Sequence, residues 1–288
     1  MQFEIITFET RDGLELFGGL QESRKSDTAI IHVHGMTDHF FEGNVMTVMS
    51  KTAKSLGMGF LSFNNRGAEL VTLINNDFYG TSQEQFEDCI LDLEAAIQAM
   101  KKRGYTKIIL SGHSTGCQKV AYYLNKHSEK PKAVKSSLIQ AAIFLAPCDD
   151  VNFQKKLLGK KKFKESLSHA QDMIKKRLGK FPIPEKYSSP MFSALRYHAL
   201  YSGKSIEGHI FNYEENLECV KKIKIPFIAI FCSDEQYAAI PPEKMLEKIA
   251  AVKQNQKSKI ALIPKGDHSF HGQELALGKV AKKFLTTL

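Results

Sequence analysis

Cysteines are few in this sequence, and none of them has the spacing of a metal or redox motif. The five are Cys89, Cys117, Cys148, Cys219 and Cys232. Their odd number and the lack of Cys-x-x-Cys spacing argue against a disulfide framework and against a cysteine zinc site. Because unpaired cysteines are typical of reducing compartments, we expect a cytoplasmic protein.

Long apolar segments are lacking as well. No apolar stretch approaches the ~18 residues that a helix needs to cross a bilayer, so we expect no transmembrane segment. The start of the chain, Met1–Ile5, has no basic residues followed by an apolar run, and we expect no signal peptide. With 43% hydrophobic and 25% charged residues, the 288 residues predict a single soluble globular domain, 1–288, with a modest insertion.

Acidic residues are scarce between positions 151 and 187. This segment has eleven basic side chains against three acidic ones, a net charge of +8 within a total of +9. One interpretation is a solvated helical insertion, and the other is a surface that attracts anionic substrates, membranes or nucleic acid. No nucleic-acid-binding module accompanies the segment, so we expect no specific nucleic-acid partner.

The apolar pattern alternates between strands and helices. Predicted strands are 29–33, 59–63, 107–111, 141–146, 226–231 and 259–263. Predicted helices are 45–56, 86–100, 115–125, 243–252 and 277–288. This alternation predicts an α/β fold with a mostly parallel sheet covered on both faces by helices. The turn Arg11-Asp12-Gly13 adds a predicted hairpin, and residues 151–215 break the alternation, which predicts an inserted basic helical cap.

The segment Gly112-His113-Ser114-Thr115-Gly116 has the pattern Gly-x-Ser-x-Gly and lies between a predicted strand and a predicted helix. In that setting a sharp turn holds the serine in a strained backbone conformation, and the two glycines avoid clashes between the neighbouring elements. The start of the following helix favours negative charge at the reacting centre. We therefore predict that Ser114 is a nucleophile.

A serine hydroxyl needs a base to take its proton and a third group to orient that base. In this arrangement the acid and then the histidine follow the serine along the chain. Asp234 and His268 come directly after predicted strands, at the sheet edge where ligands bind. We predict that they complete the catalytic triad. Competing candidates are His271 for the base and, for the acid, Glu235, Asp149 and Asp150.

An oxyanion needs two hydrogen-bond donors, and removal of one donor commonly costs about 2.7–4 kcal/mol of barrier stabilisation. We predict the amide of Thr115, directly after the nucleophile, and the amide of Met36, in the loop after strand 29–33. His32 belongs to this strand and His34 to the loop that follows it. A structural role is expected for both histidines, and we expect no metal.

These segments resemble the landmarks of α/β-hydrolase esterases and lipases. The landmarks are His34-Gly35, Asn65-Arg66-Gly67, Gly112–Gly116, Asp234 and Gly266-Asp267-His268. The segments Gly112–Gln118 and Gly266–Phe270 are more specifically similar to the branch that contains fungal siderophore esterases. The overall layout also resembles monoacylglycerol lipases and cinnamoyl esterases. One departure is that Pro241 follows Asp234 by seven positions, whereas family members often place a proline sooner after the acid.

The resemblance covers nearly the whole chain except the cap, and it implies a cofactor-free carboxylic ester hydrolase with the α/β-hydrolase fold. We predict that it acts through an acyl-enzyme on a small-molecule ester. An acyltransferase, a peptidase or amidase with the same triad, and a non-catalytic binding protein are competing hypotheses; no oligomeric state is favoured. Aromatic residues expected to line the substrate pocket are Phe40, Phe41, Phe78, Tyr79, Phe192, Tyr197 and Tyr201.

Overall fold

An eight-stranded sheet forms the centre of the protein in the computed structural model, which describes residues 2–23, 25–41, 43–74, 76–128, 138–188 and 192–288. Its strands are β1 Glu4–Glu9, β2 Glu15–Gln21, β3 Thr28–Val33, β4 Gly59–Phe63, β7 Lys107–His113, β8 Ile139–Leu145, β9 Phe227–Cys232 and β10 Lys259–Ile263. The order across the sheet is β1-β2-β4-β3-β7-β8-β9-β10. All pairs from β4 to β10 are parallel, which confirms the predicted mostly parallel sheet.

The predicted hairpin is confirmed at the start of the chain. Strands β1 and β2 pair antiparallel, with Glu9 opposite Glu15, and the turn between them places Gly13 at φ 83°. Glycine adopts such a positive φ without strain. A short ribbon, β5 Thr72–Ile74 with β6 Asp77–Tyr79, lies apart from the main sheet and was not predicted. Its strands are too short to carry a recognisable periodic pattern.

Every residue of β4 and β9 is buried, whichever face of the sheet its side chain points to. Both faces of the sheet are therefore covered, and helices cover them. The helices outside the predicted cap are α1 Asn44–Ser55, α2 Cys89–Lys102, α3 Thr115–Ser128, α7 Glu218–Lys221, α8 Pro242–Val252 and α9 Glu274–Leu285. Helices α1 and α9 pack together, and so do α2 and α3. Among the described helices, none is both long and apolar enough to span a membrane.

A helical insert lies between β8 and β9, in the segment where the sequence predicts a cap. It contains α4 Asp150–Lys175, a 3₁₀ turn Glu185–Tyr187, α5 Ala194–Tyr201 and α6 Glu207–Ile210. Residues 189–191 of the predicted cap lie outside the described part. Gly159, at φ 73° and ψ 158°, kinks α4 into two helical pieces.

The insert has a small hydrophobic core of its own, separate from the core around the sheet. Its buried members are Val151, Phe163, Ala170, Ile183, Phe192, Ala194, Tyr197, Leu200 and Tyr201. Met36, from the loop after β3, packs against this second core. The insert therefore contacts the loop that follows the central strand β3.

Candidate active site

Ser114 occupies a strained turn between β7 and α3. Its φ is 53°, a conformation that costs a non-glycine residue of order 1–3 kcal/mol and persists where the surroundings impose it. The Ser114 amide donates to Leu145 O at 2.9 Å, and the Cys117 amide donates to Ser114 O at 2.9 Å. These bonds hold the turn, so the Ser114 side chain is presented at the carboxyl end of β7.

Glycines surround this turn because there is no room for a side chain. A Cβ on Gly112 would clash with the backbone of Gly116, and one on Gly116 would clash with the Val33 carbonyl. A Cβ on Gly35 would lie 2.9 Å from the Cβ of Ser114. The structure therefore explains both glycines of the Gly-x-Ser-x-Gly pattern and adds Gly35 as a third close contact of the serine.

His268 has a carboxylate partner, and that partner is Glu235. Both carboxylate oxygens of Glu235 lie 2.9 Å from His268 Nδ1. Tyr237 N also donates to Glu235 Oε1 at 2.9 Å, which fixes the carboxylate. The Glu235 side chain is fully buried and that of His268 is 10% exposed.

The prediction that Asp234 contacts His268 is wrong. Of the two adjacent carboxylates in the turn after β9, Asp234 is exposed to solvent and Glu235 is buried. Its Oδ1 accepts a hydrogen bond from its neighbour Ser233 Oγ at 2.8 Å. The path of this turn decides whether Asp234 or Glu235 faces His268, and the sequence pattern does not specify that path.

Asp149 and His271, which compete for the acid and base roles by sequence, bond to other residues. Asp149 caps α4, where its Oδ1 accepts from Asn152 N at 3.0 Å. His271 is 66% exposed at its side chain, and its Nδ1 contacts Asp267 Oδ2 at 2.7 Å. Neither residue contacts the His268–Glu235 pair through a described hydrogen bond.

Contacts on several sides fix the His268 backbone and ring. The His268 amide donates to Gln236 Oε1 at 2.8 Å, and His113 Nε2 donates to the His268 carbonyl at 2.9 Å. The rings of His113 and Tyr237 each lie 4.8 Å from the His268 ring, centroid to centroid. Burial and the neighbouring His268 lower the pKa of His113 well below its ordinary value, so His113 is neutral.

Ser114 and His268 line the same cavity, which has a volume of about 540 Å³. Its walls include Gly35 and Met36 from the loop after β3, and Phe192 and Tyr201 from the insert. In the described part of the chain, no hydrogen bond joins Ser114 Oγ to His268. The predicted nucleophile and base therefore face one cavity, with no hydrogen bond between them among the described residues.

The predicted donor positions flank Ser114. Thr115 is the first residue of α3, where a backbone N–H has no acceptor within the helix. Met36 lies on the cavity wall, and the loop beyond it is anchored because Thr37 N donates to Thr81 Oγ1 at 2.8 Å. Thr81 Oγ1 in turn donates to Gly67 O at 2.8 Å.

Seven aromatic residues are predicted to line the pocket. Phe192 and Tyr201 line the cavity, and the prediction is wrong for the other five. Tyr197 lies inside the core of the insert, and Phe40 packs on Phe17, with 5.7 Å between ring centroids. Tyr79 packs against the main core. Phe41 and Phe78 are exposed, at 61% and 68%.

Other residues on the cavity wall were not predicted to line the pocket, among them Asp150, Phe153, Gln154 and Tyr237; the sequence had indicated Asp150 only as a competing acid. The first three belong to the first turns of α4, at spacings of three and four that place side chains on one helix face. Tyr237 lies two positions after Glu235, in the same turn. The sequence could have indicated the α4 residues as lining residues, because a helix begins directly after β8.

Asp150 is an unusual member of this wall. Its Oδ2 accepts from Gln118 Nε2 at 2.8 Å. Burial raises the pKa of Asp150 to about 8, with further contributions from the negative charges of Glu207 and Asp149. The cavity therefore contains a carboxyl group that is mostly protonated at neutral pH.

A buried chain of polar groups connects the loop after β3 to the insert. Asn65 Nδ2 donates to His34 Nε2 at 3.0 Å, and Lys119 Nζ donates to Asn65 Oδ1 at 2.8 Å. Lys119 also pairs with Glu84. Glu84 lies 3.4 Å from Arg196, which binds Glu207 at 2.8 Å. No sequence pattern indicated this chain, because its members are scattered over distant elements.

His32 and His34 both have protein partners. His32 Nδ1 lies 3.1 Å from Ser111 Oγ, and His34 Nδ1 donates to Gly35 O at 2.8 Å. Burial lowers the pKa of His32 to about 4 and that of His34 to about 3, the latter with a contribution from Lys119. Both imidazoles are neutral, and the contacts of His34 order the loop that carries Met36.

The chain belongs to the family described as "Protein of unknown function (DUF1749)", whose model matches residues 75–288. The match includes β7, α3, the insert and the turns that carry Glu235 and His268. No protein with a curated description matches the sequence.

Solved structures share the whole architecture. Est1E from Butyrivibrio proteoclasticus with bound ferulic acid has a TM-score of 0.69 at 16% identity, covering 98% of both chains. Siderophore hydrolase EstB from Aspergillus fumigatus has a TM-score of 0.68 at 16% identity, covering 99% of this chain and 98% of that one. Alpha/beta hydrolase GrgF from Penicillium sp. sh18 has a TM-score of 0.65 at 15% identity, covering 100% and 99%. The predicted α/β-hydrolase fold is confirmed.

Proposed function

We propose that this protein hydrolyses carboxylic esters with Ser114 as nucleophile, His268 as base and Glu235 as the acid. One observation carries the proposal: Ser114 and His268 line the same cavity. Ser114 has a strained backbone conformation there, and the buried Glu235 carboxylate holds His268 Nδ1. A serine, a histidine and a carboxylate in these roles form the arrangement that activates a hydroxyl for acyl transfer.

Acylation begins when the substrate carbonyl enters the cavity. Because Glu235 holds the Nδ1–H of His268, the lone pair of Nε2 is free to accept the Ser114 hydroxyl proton. Ser114 Oγ then bonds to the carbonyl carbon. His268 returns the proton to the leaving alcohol as the tetrahedral intermediate collapses to the acyl-enzyme. The approach of Ser114 and His268 to hydrogen-bond distance accompanies substrate binding, since such bonds are often long in ligand-free sites.

The amides of Met36 and Thr115 stabilise the negative oxygen of the intermediate. Both positions flank Ser114, and the helix start at Thr115 adds the positive end of the α3 dipole. His34 supports this role indirectly, because its bonds to Gly35 O and Asn65 fix the loop that carries Met36. Deacylation repeats the sequence with water in place of serine.

The helical insert acts as a cap that shapes the substrate site within a single domain. Phe192 and Tyr201 bring its core to the cavity, and Asp150 and Gln154 add polar groups to the same wall. None of the basic residues between 151 and 187 is among the described residues that line this cavity, whereas Lys155, Lys156, Lys160 and Lys164 line a separate one. This arrangement favours neutral small-molecule esters over anionic ones.

The names of the similar structures agree with an ester substrate. One is a complex with ferulic acid, and another is called a siderophore hydrolase. An acyltransferase or an amidase would use the same three residues. Competition by added alcohols or amines distinguishes transfer from hydrolysis, and amide substrates test the amidase.

The test is a panel of neutral acyl esters that vary in chain length and aromaticity. We expect turnover of at least one class and its loss in Ser114→Ala. Ser269→Ala is the matched control, because Ser269 lines the same cavity but lies outside the proposed triad. Equal activity of Ser114→Ala and the wild type would refute the proposal.

A further inference from the structure

Three side chains that bind transition metals well converge beside the cavity. Cys148, Glu235 and His268 follow β8, β9 and β10, which are adjacent in the sheet. One donor atom from each, a sulfur, a carboxylate oxygen and the imidazole Nδ1, lies within 4.8 Å of the other two. The topology itself therefore brings the three donors together, since the carboxyl ends of adjacent parallel strands meet at one edge.

Two of the three donor distances are close to those in a tetrahedral zinc site. Cys148 Sγ lies 3.7 Å and the Glu235 oxygens lie 2.9 Å from His268 Nδ1. With zinc bonds of about 2.3 Å to sulfur and about 2.0–2.1 Å to nitrogen and oxygen, ligand atoms lie about 3.3–3.6 Å apart. Shifts of a few tenths of an ångström bring the sulfur and a carboxylate oxygen to these distances from Nδ1, and the sulfur and the oxygen already lie within 4.8 Å of each other.

We propose that Cys148, Glu235 and His268 form an inhibitory site for Zn²⁺ and chemically similar cations. Thiolate and carboxylate together supply two negative charges, which balance a divalent cation in this buried position. A thiolate and an imidazole also favour zinc over Mg²⁺ or Ca²⁺, which prefer oxygen ligands. Cavity water supplies the fourth ligand.

Binding has a defined proton balance. The Cys148 thiol releases its proton to solvent, and the single proton of the neutral His268 imidazole moves from Nδ1 to Nε2. An Nε2–H cannot accept the proton of Ser114, so the metal stops acylation; this consequence rests on the proposed function. Because the thiolate and not the thiol binds the metal, metal affinity should increase with pH.

The binding claim is tested without catalysis, in the full-length Ser114→Ala protein. Titration with Co²⁺ should produce a near-ultraviolet thiolate-to-cobalt charge-transfer band at one equivalent, and Zn²⁺ should displace it. The band should be absent when Cys148→Ser or Cys148→Ala is added, and should remain with Cys219→Ser. Absence of the band in the parent protein, or its persistence without Cys148, would overturn the site.

Inhibition is measured separately on protein with an intact Ser114. Zn²⁺ should reduce ester turnover, and EDTA should restore it. Inhibition of each protein is expressed as a fraction of its own rate without Zn²⁺. On that basis the half-inhibiting Zn²⁺ concentration should be at least tenfold higher in Cys148→Ser than in the wild type. Equal sensitivity of the two proteins would contradict the proposal. If no ester is turned over, the proposed function fails, while the cobalt band still decides whether the metal site exists.

Discussion

Both carboxylate oxygens of Glu235 lie 2.9 Å from Nδ1 of His268, and the Glu235 side chain is fully buried. A buried carboxylate in this position holds the imidazole in the tautomer whose Nε2 accepts a proton. The proposed mechanism requires a base with a fixed orientation, and Glu235 and His268, which follow the adjacent strands β9 and β10, provide that arrangement.

Glu235→Gln should lower kcat severely, toward the ~10⁴-fold loss that accompanies a wrong histidine tautomer in a triad. Asp234→Asn is the matched control and should retain near wild-type kcat, because Asp234 is exposed and contacts Ser233. Steady-state kinetics on a neutral ester compare the two. A larger loss in Asp234→Asn would return the acid role to Asp234.

Gly35→Ala should lower kcat clearly, whereas its thermal unfolding temperature should change little. The added Cβ would lie 2.9 Å from the Cβ of Ser114, so the serine or the Met36 loop must shift. Gly278→Ala in α9 is the control, since the nearest atoms there are 3.6 Å away and alanine is favoured in helices. Kinetics and thermal unfolding of both variants provide the comparison. Wild-type kcat in Gly35→Ala would show that this contact is unimportant.

Asp150 should make stability depend on pH. Its pKa is raised to about 8 in the folded protein, whereas an unperturbed aspartate has a pKa of about 3.9. Between these values the folded state holds one proton more than the unfolded state, so this carboxyl lowers the free energy of unfolding as pH rises.

Asp150→Asn removes that ionisation. As pH rises from about 4 to about 9, the free energy of unfolding of the variant should increase by roughly a few kcal/mol relative to that of the wild type. Urea unfolding at several pH values measures the difference. A difference that stays constant with pH would mean that Asp150 ionises normally.

Lys119→Met should destabilise the fold by about 3–5 kcal/mol, since it leaves the buried Glu84 without its lysine partner. Glu84 keeps Arg196 at 3.4 Å, but adding Glu84→Gln should recover part of that loss, because it removes a buried charge that has lost its closer partner. A double-mutant cycle in denaturant unfolding gives the coupling energy. Additive effects of the two substitutions would show that the pair is not coupled.

Sequence patterns with strong local causes predicted much of this molecule. Asp12-Gly13 predicted a hairpin because of its turn chemistry, and Gly112–Gly116 predicted the Ser114 turn because only glycine fits there. The Asp234 prediction failed because the choice between adjacent carboxylates depends on how one turn is packed. The buried chain through Lys119 and Glu84 could not be predicted, since it joins residues that only tertiary packing brings together.

Covalent labelling tests the central claim most directly. A fluorophosphonate should modify the protein at one equivalent, and peptide mass spectrometry should place the adduct on Ser114. Ser114→Ala should remain unlabelled, while Ser269→Ala should label like the wild type. Full labelling of Ser114→Ala, or an adduct on another residue of the wild type, would contradict the assignment of Ser114 as the nucleophile.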